Sequence, residues 1–193
     1  MAAPALTARA YVTLDEFYAM PDLPDRVELV DGELVVTPPA GAGHGYLGRA
    51  LFLAMHAHAT AHRVGEAFGD GFGYILPLPT RPDTCRTSDA SFVRAERIPR
   101  PKGGRRAWRL VPDVAAEVLS PSDTPPVLAA KLRDYLEAGT AAVWVVDGDA
   151  RTVAVHAPGA PVRVLRETET LDGGDAFPGF ALPLARLFAV LDD

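Results

Sequence analysis

The sequence predicts an α/β (α+β) chain: a mixed β-sheet flanked by helices, with an N-terminal helix and β-hairpin leading into it. Three observations predict this. Asp31-Gly32 joins two short runs, Val27-Glu28-Leu29-Val30 and Glu33-Leu34-Val35-Val36. Asp-Gly is a strong hairpin signal because a type I′ turn needs positive φ at both central residues. Residues 110–119 are nearly all apolar, broken only by Pro112, Asp113 and Glu117 among the interior positions, as expected of a strand covered on both faces. A helical stretch and a second apolar run, 142–146, follow, so a strand–helix–strand unit spans 110–146.

The remaining elements fall into order around these. Residues 1–12 read as a flexible tail and 13–193 as one domain. Thr13-Leu-Asp-Glu16 has capping-box spacing and starts a short helix to about residue 20, ended by Pro21 and Pro24. Residues 44–62 are helical, with Leu47, Leu51, Ala54, Met55 and His58 at spacings of three and four. Residues 65–78 hold one or two strands carrying Gly69, Gly71 and Gly73, and 88–93 are a short strand. Residues 94–109 form a basic loop with glycine and proline. A helix over 127–138 stops at Gly139. Asp147-Gly148-Asp149 turns the 142–146 strand into a hairpin over 152–156 and 162–165. The segment from 177 to 191 holds a Pro-Gly turn and a short apolar helix.

Composition excludes several classes. With 48% hydrophobic residues over 193 positions, the chain can bury a core. No apolar stretch is long enough to span a bilayer, so no membrane partner is expected. Residues 1–10 carry no secretory signal pattern. The single cysteine, Cys85, excludes an internal disulfide framework, and a cytoplasmic setting follows. A net charge of −6 argues against coating DNA by bulk electrostatics. Yet seven of the 19 Lys and Arg residues lie in the sixteen positions 94–109, and local charge decides where a polyanion sits. That loop, with Arg94, Arg97, Arg105 and Arg106, is either a nucleic-acid contact or a solvated surface.

Glu117 is the residue that least fits its surroundings. A carboxylate in an apolar strand costs several kcal/mol unless it is paired or holds a metal. It lies near the end of its strand, where open sheets bind ligands; a salt-bridged strand end is the alternative. Asp89 heads another short strand, Glu28 sits inside the first hairpin, and Lys131 stands 14 residues after Glu117, on the next helix. Hard oxygen donors select Mg2+ or Mn2+. Such an ion lowers the pKa of a bound water, and a nearby lysine offsets charge growing in the transition state.

These stretches resemble the Uma2-type restriction endonucleases of the PD-(D/E)XK nuclease superfamily. The resemblance rests on 26–35, on His44 opening the long helix, and on Ser88-Asp-Ala-Ser-Phe-Val93. It continues through 112–122, through 131–139 and through Val143-Trp-Val-Val-Asp147. Together they run from about residue 14 to 187. It implies a restriction-endonuclease-like fold, Asp89 as the acid of the "PD" element and Glu117 as that of the "(D/E)XK" element. Both would hold the metal, with the Val118 carbonyl as a third ligand, and Glu28 would be the additional acid found early in many members. Ser88 replaces the usual proline, and Leu119 stands where the lysine would be, so Lys131 is the implied substitute. DNA as substrate and a homodimer follow from the same likeness; it names no interface, and the exposed face of the 142–165 strands is one candidate.

Other residues carry weaker signals. His44 touches either a phosphate, the metal site or solvent. His58 and His62 have zinc-ligand spacing but no third partner nearby in sequence, which favours incidental surface histidines. Tyr135 and Trp144 read as core, and Asp113 as the opening of its strand. The leading function is therefore a divalent-metal-dependent endonuclease cutting DNA phosphodiester bonds. The alternatives are a catalytically inactive nuclease fold kept as an interaction or regulatory module, and a hydrolase whose metal needs His58 or His62.

Overall fold

Turn chemistry sets the first elements of the fold, seen here in a computed structural model that describes residues 11–23, 26–100, 102, 104, 106–121 and 123–192. The capping box at Thr13 and Glu16 starts α1 (Leu14–Ala19), with Glu16 accepting the Thr13 N–H at 2.8 Å. Asp31 (φ +50°) and Gly32 (φ +75°) make the tight turn between β1 (Val27–Val30) and β2 (Glu33–Val36). Of the expected tail, residues 1–10 lie outside the described residues; the Val12 N–H donates to the Gly32 carbonyl at 2.8 Å.

The chain continues through α2 (Ala42–His62), β3 (Gly65–Ile75), β4 (Cys85–Arg94), β5 (Val114–Val118), α3 (Pro125–Ala138) and β6 (Ala142–Asp147). It ends with β7 (Thr152–His156), β8 (Arg163–Arg166), β9 (Thr170–Asp172), β10 (Ala181–Pro183) and α4 (Leu184–Phe188). The main sheet runs β2-β1-β4-β5-β6-β7-β8, with β3 paired to β4 outside that path. Among the described strands of this sheet, only β5 and β6 pair in parallel, joined by the α3 crossover; the other ladders are antiparallel. The sheet is mixed and flanked by helices, as the patterning predicts.

Three boundaries differ from the expectation. The central strand is shorter than 110–119, because residues 110–113 run outside the ladder and only Val114–Val118 pair. The 88–93 strand extends back to Cys85, and 65–75 is one bulged strand. The small β9–β10 sheet has three residues per strand, too few for a periodic signal.

The sheet separates two cores. On one face Leu47, Leu51 and Met55 of α2 pack on Ala116, Val118, Trp144 and Phe92, with Phe177 and Phe188 behind. On the other, Tyr135 of α3 packs on Ala115, Val143 and Tyr74. Strand alternation therefore sends Ala115 and Glu117 toward α3 and their neighbours toward α2. Tyr135 and Trp144 are core, as expected.

Gly139 ends α3 at φ +104°, and a Cβ at this position would have nothing within 4 Å. Gly139→Ala therefore meets backbone strain and no clash. It should lower stability by about 1–2 kcal/mol, read as a shift in the urea midpoint at unchanged slope.

Candidate active site

A gap along one edge of β4 creates the site. β3 occupies one edge of β4 over its whole length, from Cys85 to Arg94. The other edge is shared: β1 meets it at Cys85, and β5 meets it from Ala90 to Phe92. Between them, residues 86–89 have no strand partner on that side. Backbone N–H groups there must find other acceptors, and carboxylates supply them. Glu28 Oε1 accepts from Thr87 N at 2.8 Å and from Thr87 Oγ1 at 3.1 Å. At the end of β5, Val118 N donates to Asp89 Oδ2 at 2.7 Å.

Two of the acids, Asp89 and Glu117, lie close together at the end of the β4–β5 ladder. That ladder ends at Ala90 and Ala116, and Asp89 and Glu117 are the next residues beyond the last pair, both lining the same cleft. Nearby like charges repel. Both carboxyls are buried. Burial, with Asp89 adding to it, pushes the Glu117 carboxyl up to about 8 despite Lys131 beside it. Burial also acts to raise Asp89, but the His44 hydrogen bond, Lys131 and the Val118 amide hold it below its ordinary value. Glu28 follows the same pattern: burial is outweighed by Lys131, Arg86 and the Thr87 amide.

Lys131 reaches down from α3, with Nζ 2.7 Å from Glu117 Oε2 and 3.4 Å from Glu28 Oε1. Burial works against its charge, yet Glu117, Glu28 and Asp89 together raise its pKa. His44, in the first turn of α2, sets Nε2 3.3 Å from Asp89 Oδ2; that bond raises its pKa against burial. The acids Glu28, Asp89 and Glu117, with Lys131 and His44, all line one cleft of about 400 Å³.

Three neighbours carried no sequence signal. Arg86 is buried and bridges Glu28 Oε2 (2.7 Å) and Asp134 Oδ2 (2.6 Å). Asp134, fully buried one turn beyond Lys131 on α3, also takes Arg81, which in turn pairs with Glu137 at the surface. Asp70 is the third. Gly69 pairs with Ala90 and Phe72 with Ser88, so Asp70 and Gly71 together oppose Asp89 in a bulge, with Gly71 at φ +84°. Bulges of this kind re-aim side chains beside sites, and Asp70 lines the cleft.

The basic loop lies elsewhere. Arg97 NH1 pairs with Asp113 Oδ1 at 2.6 Å and Arg94 Nε approaches it at 3.6 Å, at the opposite end of β5 from Glu117. Lys102 pairs with Glu66, and Arg106 with Asp15 while lying 5.2 Å over the Tyr18 ring. Arg105 is outside the described residues. The run thus folds its own loop against scattered acids, and none of its described residues lines the cleft. Asp113 opens β5 as expected and anchors that loop, accepting the Arg94 N–H. His58 donates from Nε2 to the Pro178 carbonyl at 3.0 Å and packs on Phe177 and Phe180, while His62 stacks on its ring. These are packing histidines.

A profile of the Uma2 family, described as "Putative restriction endonuclease", matches residues 14–185. The chain belongs to the Uma2 family. Comparison with curated proteins gave no match. Among solved structures, the Uma2 chain is similar to "a putative nuclease belonging to DUF820" from Anabaena variabilis ATCC 29413. The two share 23% identity and a TM-score of 0.81, over 93% of this chain and 99% of the other. That likeness establishes a nuclease-like fold.

The donor set fits a hard divalent cation. Among the described residues no three His, Cys, Asp or Glu side chains form a metal cluster; side chains supply the Asp89 and Glu117 carboxylates. Glu117 Oε1 is buried without a hydrogen-bond partner, and both Asp89 bonds fall on Oδ2. Glu28, Asp89 and Asp134 each have a cationic partner, among Arg86, Lys131, His44 and Arg81, whereas Glu117 has Lys131 on one oxygen alone. A divalent ion held by Asp89 and Glu117 would take up the bare Glu117 oxygen.

Two expectations follow for this Uma2 chain. Asp134→Ala leaves Arg86 and Arg81 short of a buried partner and should cost about 3–5 kcal/mol, seen as a lower urea midpoint. In metal-free buffer the folded Glu117 keeps its proton to about pH 8, whereas the ordinary value is 4.5. Its contribution is therefore fully present below about 4.5 and lost as pH rises through 8. The stability difference between wild type and Glu117→Gln should fall across that window, by at most about 1.4 kcal/mol per pH unit. A pH-independent difference in melting temperature would contradict the buried, protonated carboxyl.

Proposed function

We propose that this chain is a divalent-metal-dependent endonuclease that hydrolyses DNA phosphodiester bonds, working in the cytoplasm as a homodimer from a single nuclease-like domain over residues 13–193. One observation carries the reading: Asp89, Glu117 and Lys131 line one cleft, with Glu117 Oε1 buried and bare and Lys131 Nζ 2.7 Å from its other oxygen. Asp89 and Glu117, with the Val118 carbonyl, would hold Mg2+ or Mn2+. Such an ion, when bound, supplies an acidified water and a clamp on a phosphoryl oxygen.

The protein's own groups do the rest. Asp89 is fixed by the Val118 amide and His44 on one oxygen, which leaves the other for a ligand. Glu28 has both oxygens engaged, by Thr87 and Arg86, so its role is to orient Lys131 rather than to ligate. Lys131 places a positive charge beside the reacting phosphate, where negative charge grows in the transition state. A homodimer would let two such sites address two DNA strands.

Titration of Mg2+ and Mn2+ into wild type and variants tests this, following metal binding by calorimetry and cutting of plasmid DNA. Glu117→Ala should lose binding and cutting together. Lys131→Met should keep the metal and lose cutting by roughly 10²–10³-fold. A wild type that binds no ion at millimolar concentration would move the chain to the nuclease-fold interaction module.

A further inference from the structure

The cleft is hostile to a phosphate chain. Its walls carry Glu28, Asp70, Asp89, Glu117 and Asp123 against Arg26, Arg86 and Lys131 as fixed cations. Arg86 and Lys131 are locked into buried pairs. Arg26 differs. It stands just before β1, its side chain is 33% exposed, and among the described residues its ion-pair partner is Asp70, at 3.0 Å and 52% exposed. β1 and β3 lie on opposite edges of β4, so this pair reaches across β4 at the mouth of the cleft. His44 sits within the electrostatic reach of both.

The backbone at Arg26 is also unusual. Its φ is +65°, a conformation costly for a residue with a side chain. Asp31 and Arg63 share the left-handed region, but a tight hairpin turn and a helix C-cap require it there. At Arg26 the carbonyl accepts from Thr37 N at 3.0 Å, which closes the base of the hairpin with the side chain turned to the cleft. An exposed Arg–Asp pair is weak and exchanges readily. A phosphodiester offers the guanidinium a bidentate partner of the same geometry.

We infer that Arg26 is the binding residue for a backbone phosphate of the DNA strand entering the cleft, and that Asp70 is its resting counter-ion, displaced when the strand binds. This rests on the nuclease reading above. Arg26→Gln removes the phosphate partner; Asp70→Asn frees Arg26. The two substitutions therefore act in opposite directions on DNA, whereas a merely structural ion pair responds alike to loss of either side.

The test is binding of a fluorescein-labelled duplex oligonucleotide to the full chain in Ca2+ buffer, by anisotropy over a salt series, with Ca2+ affinity measured separately. Arg26→Gln should weaken DNA binding about tenfold and reduce the salt slope by about one. Asp70→Asn should tighten binding severalfold, and both variants should keep wild-type Ca2+ affinity. If wild type binds DNA and the two variants are unchanged, or shift the same way, the role of Arg26 is overturned while the nuclease reading stands. If wild type binds Ca2+ but no oligonucleotide, both readings fall.

Discussion

One edge of β4 has to serve two strands, and the site follows from that. β1 and β5 approach it from opposite ends and leave residues 86–89 without a strand partner on that side. A buried amide cannot stay unbonded. Glu28 takes the Thr87 amide, and Asp89 takes the Val118 amide of the neighbouring strand. Carboxylates are thus held where a continuous ladder would have placed backbone carbonyls. Each buried carboxylate then needs a cation, which brings in Arg86 from β4 and Lys131 from α3. The crossover between the parallel pair β5 and β6 has to lay α3 over this gap for Lys131 to arrive.

The charges form an alternating chain from surface to cleft: Arg81, Asp134, Arg86, Glu28, Lys131, Glu117. Alternation lets each buried group find an opposite partner on both sides, which offsets a desolvation cost of several kcal/mol per ion. The chain ends at Glu117, which meets Asp89 instead of a cation. That is where two acids come close together. A lysine at position 119 would extend from the loop beyond β5; Lys131 is instead mounted on a helix and held between two carboxylates, so its ammonium is oriented before any ligand binds.

Much of this was legible from residues near each other in sequence. The Asp31-Gly32 turn, the capping box at Thr13 and the Gly139 stop are local chemistry, and each stands where its residues imply. Glu117 announced itself as a charge inside an apolar run. Arg86 gave no such signal, because it lies before the strand expected at 88–93, among small or polar neighbours; its partners are 58 and 48 residues away. Asp134 looked like any acid on a helix. The bulge at Asp70-Gly71 was hidden among Gly69, Gly71 and Gly73, since register is a property of two strands. The basic run over 94–109 misled for the same reason: its counter-charges, Asp113, Glu66 and Asp15, come from elsewhere in the chain.

Departures from local optimum converge on one cleft. Glu117 Oε1 and Ser88 Oγ are buried without partners, Arg26 holds a left-handed backbone, and Gly71 interrupts the longest ladder. Each carries a cost of about 1–3 kcal/mol, against a total stability that for domains of this kind is about 5–15 kcal/mol. Tyr135 Oη, Thr140 Oγ1 and Arg94 Nε, outside the cleft lining, are also buried without hydrogen-bond partners. In a fold retained only as a scaffold, an apolar residue at 117 would remove the bare oxygen and the repulsion with Asp89 at once, and Lys131 would still have Glu28. Costs gathered around two neighbouring carboxylates and a lysine favour the proposed reactive site over an inert interface.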